Sequence, residues 1–229
     1  EKMRQDLTAN VSDELKTPLT SISGYAELIE TGIAKPADVP EFGRKIHVEA
    51  SRMIQLVNDI LQLSHLDSCS ETHAQPDMET VDLLDVAKDC VERQKLNAQR
   101  SFISLTYLGE SARVLGNRDQ LDELCQNLCD NAIRYNRPGG KVQLITSCTR
   151  DGHCTLTVKD NGIGIPKDAQ SSVFERFYRV DKSRSKATGG TGLGLAIVKH
   201  IARIHNARIQ LESEVNVGTP LPVVFEPAD

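Results

Sequence analysis

The chain has 229 residues, enough for one large or two modest domains, and its apolar share suits globular folding. A net charge of -5, with no basic stripe, excludes the electrostatic footprint of a nucleic-acid-binding surface. No apolar run approaches the roughly 20 residues that cross a bilayer, and no signal peptide is visible, so an excised cytoplasmic fragment is expected.

Tryptophan is absent and aromatics are few, which predicts aliphatic cores. The six cysteines (Cys69, Cys90, Cys125, Cys129, Cys148 and Cys154) form neither a C-x-x-C pair nor a four-ligand metal pattern, and they read as reduced residues, mostly in cores. Cys125 and Cys129 share one helix face by their spacing, where core packing outweighs a metal or redox role.

Two amphipathic helices come first. Val11, Leu15, Pro18, Ile22, Tyr25 and Ile29 step by 4, 3, 4, 3, 4, and Ile46, Ala50, Met53, Val57 and Ile60 by 4, 3, 4, 3, with Leu63 one turn on. A two-helix hairpin cannot bury both stripes, so pairing with a second copy into a four-helix bundle is expected. Gly32, Pro36 and Pro40 separate the helices, and Pro18 predicts a kink just after Asp13. The polar stretch 69–77 reads as a linker between a hairpin over 1–68 and a second domain over 78–229.

In that second domain the pattern predicts a strand near 80–83, a helix near 84–96, a strand over 102–108 and a long helix near 119–135. Strands over 141–149 and 154–159 follow, joined at Asp151-Gly152, then a helix over 193–204 and closing strands over 208–212 and 222–225. Pro220 and Pro222 predict an edge or frayed last strand. The fold class is thus a helical hairpin followed by an α/β sandwich with a mostly antiparallel sheet.

Four boxes carry chemistry in this domain. Asn127 and Asn131, four apart on the long helix, present amide oxygens that suit Mg²⁺, and Arg134 and Tyr135 follow one turn on. Asp160 ends a strand ahead of Gly162 and Gly164, where a carboxylate can accept an exocyclic amine and glycines let backbone approach a base. Gly190, Thr191, Gly192, Leu193 and Gly194 lead into a helix whose free N–H groups and positive dipole end receive phosphates. No lysine follows, so this is not a P-loop. Between the glycine boxes, Phe174 and Phe177 predict a lid that docks on the domain, and Lys182, Arg184 and Lys186 read as a solvated charge run.

The order and spacing of VSDELKTPLTSI, RDQLDELCQNLCDNAIRY, VKDNGIGIP, FERFYR and GGTGLGLAIVKHI resemble sensor histidine kinases of two-component systems over nearly the whole chain. The resemblance implies a dimerisation and phospho-acceptor hairpin and a Bergerat-type ATP-binding domain. It implies ATP and Mg²⁺ as cofactors, a homodimer, a response-regulator receiver domain as partner, and a membrane-anchored parent. Asn131 would be the main metal ligand and Asn127 its companion, Arg134 would meet phosphate, Tyr135 would lie against adenine, and Asp160 would accept the adenine amine.

The family's acceptor motif reads H-E-L-[KR]-T-P-L, and its histidine falls at Asp13 here. The resemblance therefore implies loss of autophosphorylation, with Glu14 and Thr17 retained for activation and for dephosphorylation of a response regulator. His47, His65, His73, His153, His200 and His205 read as surface or packing residues, none replacing the acceptor. Two other readings stand beside this one: a non-catalytic scaffold that binds ATP and a regulator, and, more weakly, an ATPase of the gyrase, chaperone or mismatch-repair type.

Overall fold

The computed structural model describes residues 2–72, 77–181 and 189–227, with side chains of 2–10 and 68–72 excepted. Helices α1 (Lys2–Glu30) and α2 (Val39–Thr72) form the hairpin. The connector turns at Gly32, whose φ of 71° lies in the left-handed region that glycine enters without strain. Tyr25 and Phe42 close the connector end with ring centroids 5.2 Å apart. Helix α1 runs unbroken past Pro18, and α2 continues to Thr72, into the stretch read as a linker.

The second domain contains β1 (Glu79–Asp82), α3 (Leu83–Arg100), β2 (Ser104–Gly109), β3 (Arg113–Gly116), α4 (Arg118–Arg134), β4 (Lys141–Cys148), β5 (Cys154–Asp160), α5 (Gly194–Ile204), β6 (Arg208–Ile209) and β7 (Thr219–Phe225). Its main sheet runs β2-β4-β5-β7-β6, antiparallel except for the β2–β4 pair, and β1 pairs with β3 in a separate two-stranded ribbon. Strand alternation explains the sandwich: Val142 and Leu144, Leu156 and Val158, and Leu221, Val223 and Phe225 all point into one buried face, while their sequence neighbours stay more open. Buried Leu83, Val86 and Cys90 of α3, Leu121, Leu124 and Leu128 of α4, and Ile197 and Ile201 of α5 join that core. Caps set two helix starts, Asp82 accepting from Leu84 N at 2.9 Å and Asn117 from Gln120 N at 3.0 Å.

Three expectations need correction. Strand β3 was not expected, because four residues are too short to show a period. Strand β7 is neither an edge nor frayed: it lies between β5 and β6 and is paired with β5 over its whole length, through both prolines. Pro222 O accepts from Gln210 N on the β6 side, so Pro220 and Pro222, of the same parity, direct their missing donors toward that short strand and away from the β5 ladder. Cys148 and Cys154 are not reduced core thiols; they are directly opposed in the β4–β5 register, Cα atoms 4.1 Å apart, and form a disulfide. Cys90, Cys125 and Cys129 are free and buried as expected. The side chain of Cys69, and residues His73, Lys182, Arg184 and Lys186, lie outside the described residues.

Candidate functional site

A cavity of about 650 Å³ opens between α4, the ends of β5 and β7, the segment after Asp160 and the start of α5. Its size falls in the range of small-molecule sites. The four-residue spacing on α4 brings Asn127, Asn131 and, one turn on, Arg134 and Tyr135 to its wall. Asn127 Nδ2 donates to Glu123 O at 3.1 Å, which leaves Oδ1 toward Gly194, where an added Cβ would sit 3.0 Å away. Arg134 reaches back along its helix to Asp130 at 2.6 Å.

Asp160 closes β5 and its carboxylate accepts from Gly162 N at 2.7 Å, which sets the turn. Burial pushes its pKa up, opposed by hydrogen bonds from the Gly162 and Thr219 backbones. At Gly164, with φ 70°, a Cβ would lie 2.1 Å from Glu214 O, so only glycine allows the loop to close on β7's approach. Helix α5 begins with no side-chain cap, leaving first-turn N–H groups and the positive dipole end toward the cavity. A recess walled by both apolar and polar side chains, with the Asp160 carboxylate and an uncapped helix N-terminus opening onto it, suits a nucleotide, base against the carboxylate and phosphates at the helix. The side-chain amides of Asn127 and Asn131 on the wall offer oxygen donors of the kind a hard cation takes.

The hairpin completes the site. Arg179, from the segment after β5, has a side chain 3% exposed and donates from Nη2 to Glu14 Oε2 at 3.1 Å, while Arg52 of α2 approaches the same carboxylate at 3.6 Å. Arg179 also lines the cavity, so it bridges the recess to the residue beside Asp13. Asp59 of α2 accepts from the Thr191 hydroxyl at 2.6 Å and from Gln55 Nε2 at 2.7 Å, and Asp59 and Gln55 are cavity wall. Phe177, at φ 64°, donates its N–H to Gly192 O at 2.9 Å and packs on the core, which holds one of the two aromatic residues expected to dock this segment.

The expected residues separate into three groups. Asn127, Asn131, Arg134, Tyr135, Asp160, Gly164, Gly190, Thr191, Gly192 and Gly194 converge on the cavity. Gly162 and Leu193 do not line it: Gly162 serves the turn through its bond to Asp160, and the Leu193 side chain is fully buried in the core. Asp13 and Thr17 are exposed on α1, the Thr17 hydroxyl bonding Asp13 O at 3.3 Å, and only Glu14 is tied to the cavity, through Arg179. The sequence reading missed Arg179, Asp59 and Gln55. FERFYR signalled Arg179, whereas nothing local marks Asp59, whose role depends on how two domains meet. His200 Nε2 is 3.0 Å from Leu66 O, and His205 Nε2 accepts from Asn117 N at 3.0 Å while Nδ1 faces Ile201 O at 2.8 Å, so both pack as expected.

Helical hairpin, Bergerat-like recess and their contact define a nucleotide-binding signalling core. Residues 3–69 match the His Kinase A (phospho-acceptor) domain, and residues 116–228 match the histidine kinase-, DNA gyrase B-, and HSP90-like ATPase domain. The sensor-like histidine kinase SenX3 of Mycolicibacterium smegmatis is 42% identical over 220 residues, covering 96% of this chain and 56% of that protein. The structure of the mycobacterial sensor histidine kinase MprB is 30% identical with a TM-score of 0.57, covering 66% of this chain and 100% of that one. The histidine kinase ThkA, solved in complex with response regulator protein TrrA, shares the fold at a TM-score of 0.75 and 19% identity, over 97% of this chain and 61% of that one.

The chain belongs to the sensor histidine kinase family. It spans about half the length of SenX3. Among the described residues, no helix is long and apolar enough to cross a membrane.

Proposed function

We propose that this chain is the ATP-binding and dimerising core of a two-component sensor kinase, from a membrane-anchored parent, arrested at its acceptor step. The observation that carries the reading is the cavity walled by both Asp160 and the uncapped α5 N-terminus, joined through Arg179 to Glu14 beside Asp13. In this reading Asp160 accepts the adenine amine, Tyr135 borders the base, and the N–H groups entering α5 hold phosphate oxygens. Asn131, with Asn127 as companion, would hold Mg²⁺, which supplies charge neutralisation on the phosphates.

Phosphoryl transfer to this family's acceptor needs a neutral imidazole lone pair beside an orienting acid. Asp13 presents a shorter carboxylate, repelled by the phosphates, whose product would be a reactive acyl phosphate. Glu14 and Thr17 remain, so dephosphorylation of a response-regulator receiver domain is the activity the chain retains, acting as a homodimer. The domain boundary belongs after α2, between 72 and 78.

Transfer of radiolabel from ATP tests this. The Asp13→His variant is expected to label at least ~10³-fold faster than the parent chain. Labelling of Asp13 at a comparable rate would reject the arrested-acceptor reading. Absence of label in both forms, with ATP still bound, would favour the alternative of a regulator-binding scaffold, which the substitution at position 13 also accommodates.

A further inference from the structure

We infer that the hairpin and the nucleotide compete for the glycine loop before α5, with Asp59 of α2 as the competing group. The inference rests on the cavity's being the ATP site. Asp59 is 6% exposed, an unusual burial for a carboxylate on a hairpin helix. Its Oδ2 accepts a hydrogen bond from the Thr191 hydroxyl at 2.6 Å, and the same hydroxyl oxygen accepts from Leu193 N at 3.3 Å, immediately before the helix N-terminus. Asp59 thus places a carboxylate on the loop that would otherwise face phosphate oxygens, from within the same cavity wall.

Among the described residues, the hydrogen bonds to Asp59 come from neutral groups, Thr191 and Gln55, and the cation whose charge acts on it, Arg134, is engaged by Asp130. A carboxylate buried without a direct ion pair is poorly compensated for its lost hydration. The contact is therefore one that an anionic ligand can displace, by repulsion of like charge and by taking over the loop's donors. Displacement moves more than one side chain. The same docking is held by Arg176 Nη2, 2.9 Å from both oxygens of Asp67, by His200 against Leu66 O, and by Arg179 on Glu14. Lifting Asp59 from Thr191 loosens this row of contacts along α2 and frees the acceptor end of α1 from Arg179. Nucleotide occupancy is thereby coupled to the position of the acceptor helix.

Binding of a non-hydrolysable ATP analogue with Mg²⁺ to the full chain tests this, combined with energy transfer between probes at the exposed positions His47 and Glu92. Asp59→Asn is expected to tighten binding on the order of tenfold. Asp67→Asn, outside the cavity, is expected to tighten it less, because it loosens the same docking, and the analogue is expected to lower energy transfer in the parent chain. Affinity unchanged within about twofold in both variants would overturn the competition. So would tightening by Asp59→Asn alone with transfer unaltered by the analogue, which reduces the effect to local charge. A parent chain and variants that bind no analogue at all would fail the nucleotide reading itself and the competition with it.

Discussion

At the scale of single residues, burial decides the chemistry of the site more than residue type. Glu123 of α4 faces Gln62 and Asp59 of α2, and its Oε1 is buried with no hydrogen-bond partner among the described residues. Desolvation pushes its pKa up from 4.5 to about 7, with the Gln62 hydrogen bond opposing and the Asp59 charge adding. A carboxyl whose folded pKa is raised binds its proton more tightly when folded. Its contribution is therefore fully present below the unfolded value and is lost as pH rises through the folded one. Glu123→Gln keeps the shape and stays neutral, so its melting temperature relative to the parent is expected to climb as pH goes from about 5 to about 8. A difference that stays flat over that range, measured by thermal unfolding in matched buffers, would place the ionisation elsewhere.

The residue scale also shows what a sequence can disclose. The place of Asn127, Asn131 and Asp160 on the cavity wall was legible because its signals are local: an i,i+4 pair on one helix and a carboxylate before two glycines. The Leu193 side chain lies off that wall because a residue inside a glycine-rich box can turn its side chain into the core while its backbone continues along the loop. Asp59 and Arg179 escaped because each acts on a partner more than a hundred residues away in the chain.

Elements followed the sequence where they were long and periodic. Both hairpin helices, α3, α4, β4 and β5 lie close to their expected positions, since apolar positions at helical or strand spacing leave little choice of buried face. The failures have specific causes. β3 is too short to display alternation, and the continuity of β7 depends on which neighbour its prolines face, which only the register decides. The disulfide likewise depends on register: the turn at Asp151-Gly152 places Cys148 opposite Cys154, and neither spacing nor composition alone predicts it.

Because the bridge closes only the short turn of β4–β5, its loss is expected to cost about 2 kcal/mol in the chain-entropy treatment, toward the low end for disulfides. Six residue pairs besides Cys148 and Cys154 hold the hairpin, and Asp160 lies at the opposite end of β5. Urea unfolding with and without reductant should show that modest loss, with nucleotide affinity unchanged. A large fall in affinity on reduction would mean that the bridge shapes the cavity.

At the scale of the whole molecule, α2 is shared between the hairpin, α5 and the cavity wall. One of its faces meets α1, and another, carrying Leu56, Asp59, Leu63 and Leu66, is buried. A third face carries Ile54, Val57 and Leu61 at 63%, 42% and 55% exposure, with Leu19 of α1 at 52%. Steps of three and four make this a continuous apolar stripe along the hairpin, and such a stripe is costly to leave in water. The expected seam thus divides between two tasks, since Leu63 turns into the core while Val57 stays open. Only the open part is free to meet a second copy of the hairpin in a four-helix bundle. Ile54→Lys, at the most exposed of these α2 positions, puts a charge into that stripe without touching the cavity or the α2 residues that meet the second domain. The variant is expected to elute and scatter as a monomer where the parent chain is a dimer, with its helical signal and nucleotide affinity retained. A variant that stays dimeric at micromolar concentration would move the interface to another face and leave the Ile54 stripe unexplained.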